Sequence, residues 1–344
     1  MPPIPQDSPD GGPGRPDAPS GQDCLDQVLG LALEAISGES PGSRIGTYRL
    51  IEPLGSGGFG TVWRAEQEEP VRREVALKIL KLGMDTREVM ARFETERQAL
   101  AMMSHPHIAT VFEAGTTETG RPYFVMELVP GIPINEFCNQ NQLSLAERLD
   151  LFMKVCQGVL HAHQKGIIHR DLKPSNILVS RIEGESVPKI IDFGIAKARS
   201  QSIRGHYLLT GMHSVLGTPV YSSPEQIDTD EHSVDIRSDV YSLGVILYEL
   251  LTGYLPFEVD VIDGSSIERV RQIVCEVDPP RPSQRLRSLN PDVLETVAKL
   301  RKTKSPELLR QLQGDIDWVI MRCLEKDRAR RYDSVSVLIQ ELNH

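Results

Sequence analysis

Several absences bound this sequence before any motif is read. No run reaches the roughly 18–20 consecutive apolar residues of a membrane span. The nearest approach, residues 240–251, is interrupted by Tyr241, Ser242, Tyr248 and Glu249 and reads as a buried helix. The opening MPPIPQDSPD has no basic stretch followed by an apolar one, so it does not read as a secretory leader. The 5 cysteines (Cys24, Cys138, Cys156, Cys275 and Cys323) form no C-x-x-C pair and are odd in number. They read as free thiols of a reducing compartment. Lys and Arg total 38 against 48 Asp and Glu, a net charge of -10. The positive excess that nucleic acid requires is missing. No internal repeat is present. Together these absences describe a soluble, cytoplasmic chain with no nucleic-acid partner and no membrane span.

What is there is globular: 344 residues, 40% hydrophobic and 25% charged, enough for one large domain or two modest ones. Residues 1–22 are rich in Pro, Gly, Asp and Ser and read as a disordered tail. In 23–36 the apolar residues Leu25, Val28, Leu29, Leu31, Leu33 and Ile36 are helix-spaced behind a candidate N-cap, Asp23. A short amphipathic helix and linker over 23–45 is expected, with the folded domain occupying 46–344. Alternating or apolar runs predict strands at 48–55, 61–65, 74–80, 110–115 and 122–127, and a helix at 86–103. After Pro130 the texture changes to helices at 145–165, 236–251, 264–276, 314–325 and 334–342. Strands first and helices later imply an α+β fold of two lobes, about 46–129 and about 130–344. The polar stretch 279–314 reads as an inserted loop with one helix near 291–302.

Three motifs carry chemistry. Gly55-Ser-Gly57-Gly58-Phe59-Gly60-Thr-Val62 has the form G-x-G-x-x-G-x-V. Glycines there let backbone N–H groups approach phosphate oxygens. A plain glycine-rich hairpin and a dinucleotide site compete. The latter needs a helix to follow, whereas 61–65 reads as a strand. Lys78, in Val75-Ala76-Leu77-Lys78, lies one strand further on, where an outward-facing surface charge is the plain alternative to a phosphate contact. Such a lysine needs an orienting carboxylate, and Glu96 is favoured over Glu94 because it shares a helix face with Leu100 at i+4. The third motif is His169-Arg170-Asp171-Leu172-Lys173-Pro174-Ser175-Asn176. Asp192-Phe193-Gly194 and Gly217-Thr218-Pro219…Ser223-Pro224-Glu225 follow it.

The full set, in this order, resembles the eukaryotic-like protein kinase family over about residues 48–343. The cadence of Gly120–Glu127 and Ser238–Val245 is most similar to its bacterial serine/threonine members. The resemblance implies the bilobal kinase fold, with ATP and Mg2+ (Mn2+ as a substitute) as cofactors and Ser/Thr-bearing proteins as substrates. It implies Asp171 as catalytic base and Lys173 at the γ-phosphate. It implies Lys78, oriented by Glu96, at the α/β-phosphates, and Asn176 and Asp192 at the metal. Leu54, Gly55, Gly57, Gly58, Phe59, Gly60, Val62, Ala76 and Leu178 would enclose the nucleotide. Glu127 to Val129 would supply hinge backbone contacts behind a gatekeeper, Met126. Glu225 resembles the acid that pairs with a late arginine, here Arg331 with Arg330 as its neighbour. Asp239 resembles the acid that braces the catalytic loop.

The same likeness places Thr218 in the floor for the substrate peptide. Arg170 beside Asp171 implies activation by a phosphorylated loop. Thr210 or Ser214 is the expected autophosphorylation site, reached through transient self-association. Two departures stand out: Ser223-Pro-Glu225 where the family has Ala-Pro-Glu, and the length of 279–314. A catalytically dead relative that only binds is disfavoured because Lys78, Asp171 and Asp192 are all present. A small-molecule kinase is disfavoured by the segment 218–225. His161 and His163 form H-x-H, but residues two apart face different sides of a helix, so lobe packing is expected and not a metal.

Overall fold

The computed structural model describes residues 39–57, 60–80, 103–193, 219–228, 234–257 and 267–343. The expected helices at 23–36 and 86–103 lie outside these residues, as do Gly58, Phe59, Glu96, Thr210, Ser214 and Thr218.

Period-two alternation builds the first lobe. Strands β1 (Arg44–Ile45), β2 (Tyr48–Gly57), β3 (Gly60–Gln67), β4 (Arg73–Leu80), β5 (Val111–Thr116) and β6 (Pro122–Glu127) form an antiparallel sheet. Its order is β1-β2-β3-β4-β6-β5. Trp63, Ala65, Val75, Leu77, Ile79 and Val125 join Tyr48 and Leu50 in a core on one side. The alternate residues Ala76, Phe124 and Met126 face the other way and join the large core of the second lobe. Before β1 the chain forms a strap. The Gly42 N–H donates to the Leu50 carbonyl (2.8 Å) and the Leu50 N–H to that of Ser43 (2.9 Å). The Glu39 carboxylate pairs with Arg121, both side chains almost wholly buried.

The second lobe begins with β7 (Ile132–Pro133), which pairs with the hairpin β8 (Ile177–Ile182) and β9 (Glu185–Ile190). This small sheet was not foreseen. Its turn, Glu183-Gly184, has positive φ at both residues (52° and 88°), the geometry of a two-residue type I′ hairpin. Among the described residues ten α-helices follow one another: α1 (Ile134–Gln140), α2 (Leu145–Gln164), α3 (Pro224–Ile227), α4 (Ile236–Thr252), α5 (Ile267–Glu276), α6 (Pro282–Arg287), α7 (Pro291–Lys299), α8 (Ser305–Leu312), α9 (Asp315–Cys323) and α10 (Val335–Leu342). A capping box starts α2: the Glu147 N–H donates to Ser144 Oγ and the Ser144 N–H to Glu147 Oε2. Asp235 caps α4, and Gly253 ends it in the left-handed conformation at φ 84°. α4 is the buried axis of the lobe, with Val240, Leu243, Val245, Ile246 and Leu247 wholly enclosed. Among the described residues no helix is long and apolar enough to cross a membrane.

The stretch 279–314 corrects an expectation. It forms three helices, α6 to α8, not a loop with one. They are integral to the lobe, burying Leu286, Val297, Ala298, Leu308 and Leu312. Arg301 follows α7 and is itself buried, its Nη1 donating to the Val297 carbonyl (2.9 Å) and Nη2 to that of Leu250 (3.2 Å).

Candidate active site

The cleft between the lobes is assembled from one sheet face, one loop and one hairpin. Register places Val62 opposite Lys78, Ala76 opposite Met126 and Lys78 opposite Phe124, so these side chains share the cleft-facing side. The glycine loop enters through two register shifts in β2, at Leu50/Glu52 and Pro53/Gly55. At its exit Gly60 lies so close to β4 that a Cβ would fall 2.1 Å from the Ile79 carbonyl oxygen. At the mouth a groove of about 700 Å3 is lined by Leu54, Leu128, Val129, Ile132 and Phe137, among others. The Glu127 N–H is taken by the Thr110 carbonyl (2.8 Å). Among the described residues the Val129 N–H has no hydrogen-bond partner, which suits it to donate to an adenine ring. Leu178, on β8, is half-buried and is the register partner of Lys189.

The loop 169–176 is held from both sides. Asp239, at the start of α4, accepts the backbone N–H groups of His169 (2.8 Å) and Arg170 (2.9 Å) and the ring Nε2–H of His163 (2.8 Å). Burial pushes this carboxyl up, but His163 and the backbone donors outweigh it and hold it below the usual range. Gln226 donates to the Arg170 carbonyl (2.8 Å). Both peptide groups of Arg170 are thus pinned, and Arg170 sits at φ 63°, a conformation that costs energy outside glycine. His169 Nδ1 accepts the Asp171 N–H (3.2 Å), which leaves Nε2 as the protonated nitrogen, donating to the Ile191 carbonyl (3.3 Å). Complete burial holds this imidazole neutral, below its ordinary pKa. Its ring lies 4.6 Å from that of Phe193.

The loop brings three expected residues together. Lys173 Nζ is 3.1 Å from Asp171 Oδ2, and Asn176 Nδ2 donates to the Asp171 carbonyl (2.8 Å) and Oδ2 (3.2 Å). Asp192, at φ 57°, pairs through Oδ1 with Lys78 of the other lobe. Asn176 Oδ1 and Asp192 Oδ2 remain as oxygen donors, a set that fits Mg2+, which completes its shell with phosphate and water. No group of three or more His, Cys, Asp or Glu among the described residues forms a metal cage. His161 and His163 diverge: His163 binds Asp239, and His161 stacks on His105 at 5.2 Å.

Below the loop, Arg331 grips Glu225 through two bonds (2.7 and 2.8 Å), and Ser238 Oγ adds a third (2.6 Å). Arg330 is not the partner. Burial raises the Glu225 carboxyl, but Arg331 overrides it and leaves it depressed. Tyr221 O–H (2.7 Å) and Asn135 Nδ2 (2.9 Å) both donate to Glu249 of α4, tying the segment 219–221 to the same helix. Gln226, Tyr221 and Glu249 were missed as functional supports. Their partners are distant in sequence, and no local spacing announces them.

A sheet lobe and a helical lobe that bring Lys78, Asp171, Asn176 and Asp192 to one cleft place the chain among the kinase-type phosphotransferases. The chain belongs to the protein kinase domain family, which matches residues 48–342. It is 38% identical over 266 residues to the serine/threonine-protein kinase PknB of Mycobacterium tuberculosis, covering 76% of this chain and 40% of that protein. It is 36% identical over 284 residues to PknB of Mycolicibacterium smegmatis, covering 81% and 43%. The chain thus spans about two fifths of the length of these curated relatives. The crystal structure of the Mycobacterium tuberculosis PknI kinase domain superposes with a TM-score of 0.61 at 24% identity, covering 89% of this chain and 98% of that one. It has the same fold.

Proposed function

We propose that this chain transfers the γ-phosphoryl group of ATP to serine and threonine hydroxyls of proteins. One observation carries the reading: Lys173 and Asn176 each come within 3.2 Å of the Asp171 carboxylate on a loop held by the buried Asp239. Asp171 orients the substrate hydroxyl and accepts its proton. Lys173 steadies the transferring phosphoryl group. Lys78 binds the α/β-phosphates once nucleotide draws it from Asp192, with Glu96 as its further partner. Val62, Ala76 and Leu178 sandwich the adenine, with Leu54 and Gly55, Gly57, Gly58, Phe59 and Gly60 above it, Met126 behind it and Glu127–Val129 beside it. Asn176 and Asp192 would hold Mg2+, or Mn2+ in its place, whose charge would offset that of the phosphates. The substrates, the cytoplasmic setting and autophosphorylation at Thr210 or Ser214 belong to this proposal.

The test is transfer from labelled ATP with Mg2+, to the chain itself and to a generic protein, beside Asp171→Asn. Label on serine or threonine that vanishes in the variant is the expected result. Nucleotide binding without transfer, in protein already phosphorylated on its loop, would leave a binding module.

A further inference from the structure

Behind the nucleotide position the two lobes meet at a half-buried ion pair. Lys189 Nζ donates to both oxygens of Glu127, at 2.6 and 2.7 Å. Glu127 ends β6, at the start of the crossing between lobes. Lys189 lies on β9, three residues before Asp192. We propose that this pair is an interlobe tie and that Lys189 is a positioning residue, setting where Asp192 stands relative to the hinge. The proposal rests on the kinase reading above.

The geometry shows why a tie is needed there. β9 is already stitched to the other lobe's approach segment at one corner. The Ile190 N–H donates to the His107 carbonyl (2.9 Å), and the Ala109 N–H to that of Ile190 (2.9 Å). His107 Nδ1 lies 3.0 Å from the Pro188 carbonyl oxygen. These bonds cluster on the backbone of one strand end, so they define a pivot and leave rotation about it open. The Lys189 side chain leaves the hairpin on the face it shares with Leu178, its register partner. It reaches the hinge away from the pivot. Among the described residues it makes the one ion pair between β6 and the β8–β9 hairpin.

Glu127 is fixed at its own end. Its N–H donates to the Thr110 carbonyl (2.8 Å), and its Oε2 accepts the Thr110 N–H (3.2 Å). A pivot plus one charged, two-pronged contact fixes the orientation of the whole β8–β9 hairpin against the hinge. Ile191 then hands that orientation to Asp192, its N–H held by the Asn176 carbonyl (2.9 Å). Metal-ligand geometry tolerates displacements of only about 0.5 Å, so a hairpin swinging on this pivot would carry Asn176 and Asp192 together out of place relative to Lys78 and the hinge.

The measurement is calorimetric binding of ATP with and without Mg2+ to Lys189→Met, Lys189→Arg and Glu127→Gln beside wild type. Hydrogen exchange at the Ile190 and Ile191 amides and thermal midpoints accompany it. Lys189→Met is expected to need about tenfold more Mg2+ for the same ATP affinity, the usual loss when a support behind a metal ligand goes. Metal-free ATP binding should be nearly unchanged. Glu127→Gln should reproduce the shift from the other side, and Lys189→Arg should retain wild-type behaviour, since a guanidinium also pairs in two-pronged fashion. The two amides should exchange faster in Lys189→Met.

An unchanged Mg2+ requirement in folded Lys189→Met or Glu127→Gln overturns the proposal. So does equal weakening of metal-free and metal-bound ATP, which would confine the pair to the hinge. If Lys189→Met fails to fold, Glu127→Gln decides by the same criteria. Wild type that transfers no phosphate, while the variant still exchanges faster at Ile190 and Ile191, would sink the kinase reading and leave the tie standing.

Discussion

The two lobes use arginine differently. In the small lobe, Arg49, Arg64 and Arg72 are partly or fully exposed and pair with Glu66, Glu52 and Glu74. In the large lobe Arg148, Arg301 and Arg331 are at most 2% exposed. They donate chiefly to main-chain carbonyls. Arg148 binds those of Leu143 (2.8 Å), Leu250 (2.9 Å), Cys138 (3.0 Å) and Leu300 (2.9 Å). Arg331 adds the carbonyls of Glu325 (2.7 Å) and Lys326 (3.0 Å) to its Glu225 pair. Exposed pairs are screened by salt and contribute little. A buried guanidinium fixes the relative placement of several chain segments, and its loss orphans each of them.

That contrast can be broken or sharpened by substitution. The largest effect is expected for Arg331→Leu, which leaves the buried Glu225 carboxylate uncompensated at a cost of about 3–5 kcal/mol. Chemical denaturation should show it, and a loss below about 1 kcal/mol would deny the large lobe its dependence on buried charge. Next comes Arg301→Met, at about 2–3 kcal/mol, because carbonyls at the end of α4 lose charged donors. Burial and the neighbouring Arg148 already lower the Arg301 pKa to about 9. Because the unfolded arginine keeps its proton to higher pH, stability should rise as pH climbs from about 9 toward the ordinary arginine value, an alkaline gain that Arg301→Met should abolish.

The acid side gives a smaller, graded effect. Burial lowers the His169 pKa, and burial with neighbouring charge lowers those of His105 and His107. The unfolded chain takes up protons first as pH falls through about 6.5, so the thermal midpoint should begin to drop there. It should drop again below about pH 4, as the depressed Asp239 and Glu225 carboxyls are outcompeted by their unfolded forms. A midpoint flat from pH 8 to 5 would show that these imidazoles are not held neutral. The smallest effect belongs to Arg64→Ala, where no measurable change in thermal midpoint is expected at any salt concentration. A clear loss at low salt would erase the distinction between the lobes.

Much of this architecture was legible because it is local. Alternation located β2 to β6, and the motif spacing put Asp171, Lys173 and Asn176 on one loop, where they do meet. The Glu225–Arg331 and Asp239 contacts followed from the family resemblance and not from spacing. The stretch 279–314 was misread on its length and polarity, while its prolines pointed the other way. Pro282, Pro291 and Pro306 each stand in the first turn of a helix, where a missing N–H costs nothing. Its polarity misled, since Arg301 is a core residue despite its charge. The β8–β9 hairpin had a readable signal in Glu183-Gly184. The Lys78–Asp192 and Glu127–Lys189 pairs join residues 114 and 62 positions apart, and no periodicity reports such contacts.

The strap before β1 bears on where the chain can be shortened. A cut at residue 46, where the sequence reading starts the folded domain, would delete Glu39 and the Arg44–Ile45 edge strand. It would also strip a carboxylate from the buried Arg121. A shortened protein starting there would confuse damage to the small lobe with loss of any control exerted by the first 38 residues. Cutting ahead of Glu39 separates the two, and makes this ion pair the practical boundary between the catalytic body and its N-terminal appendage.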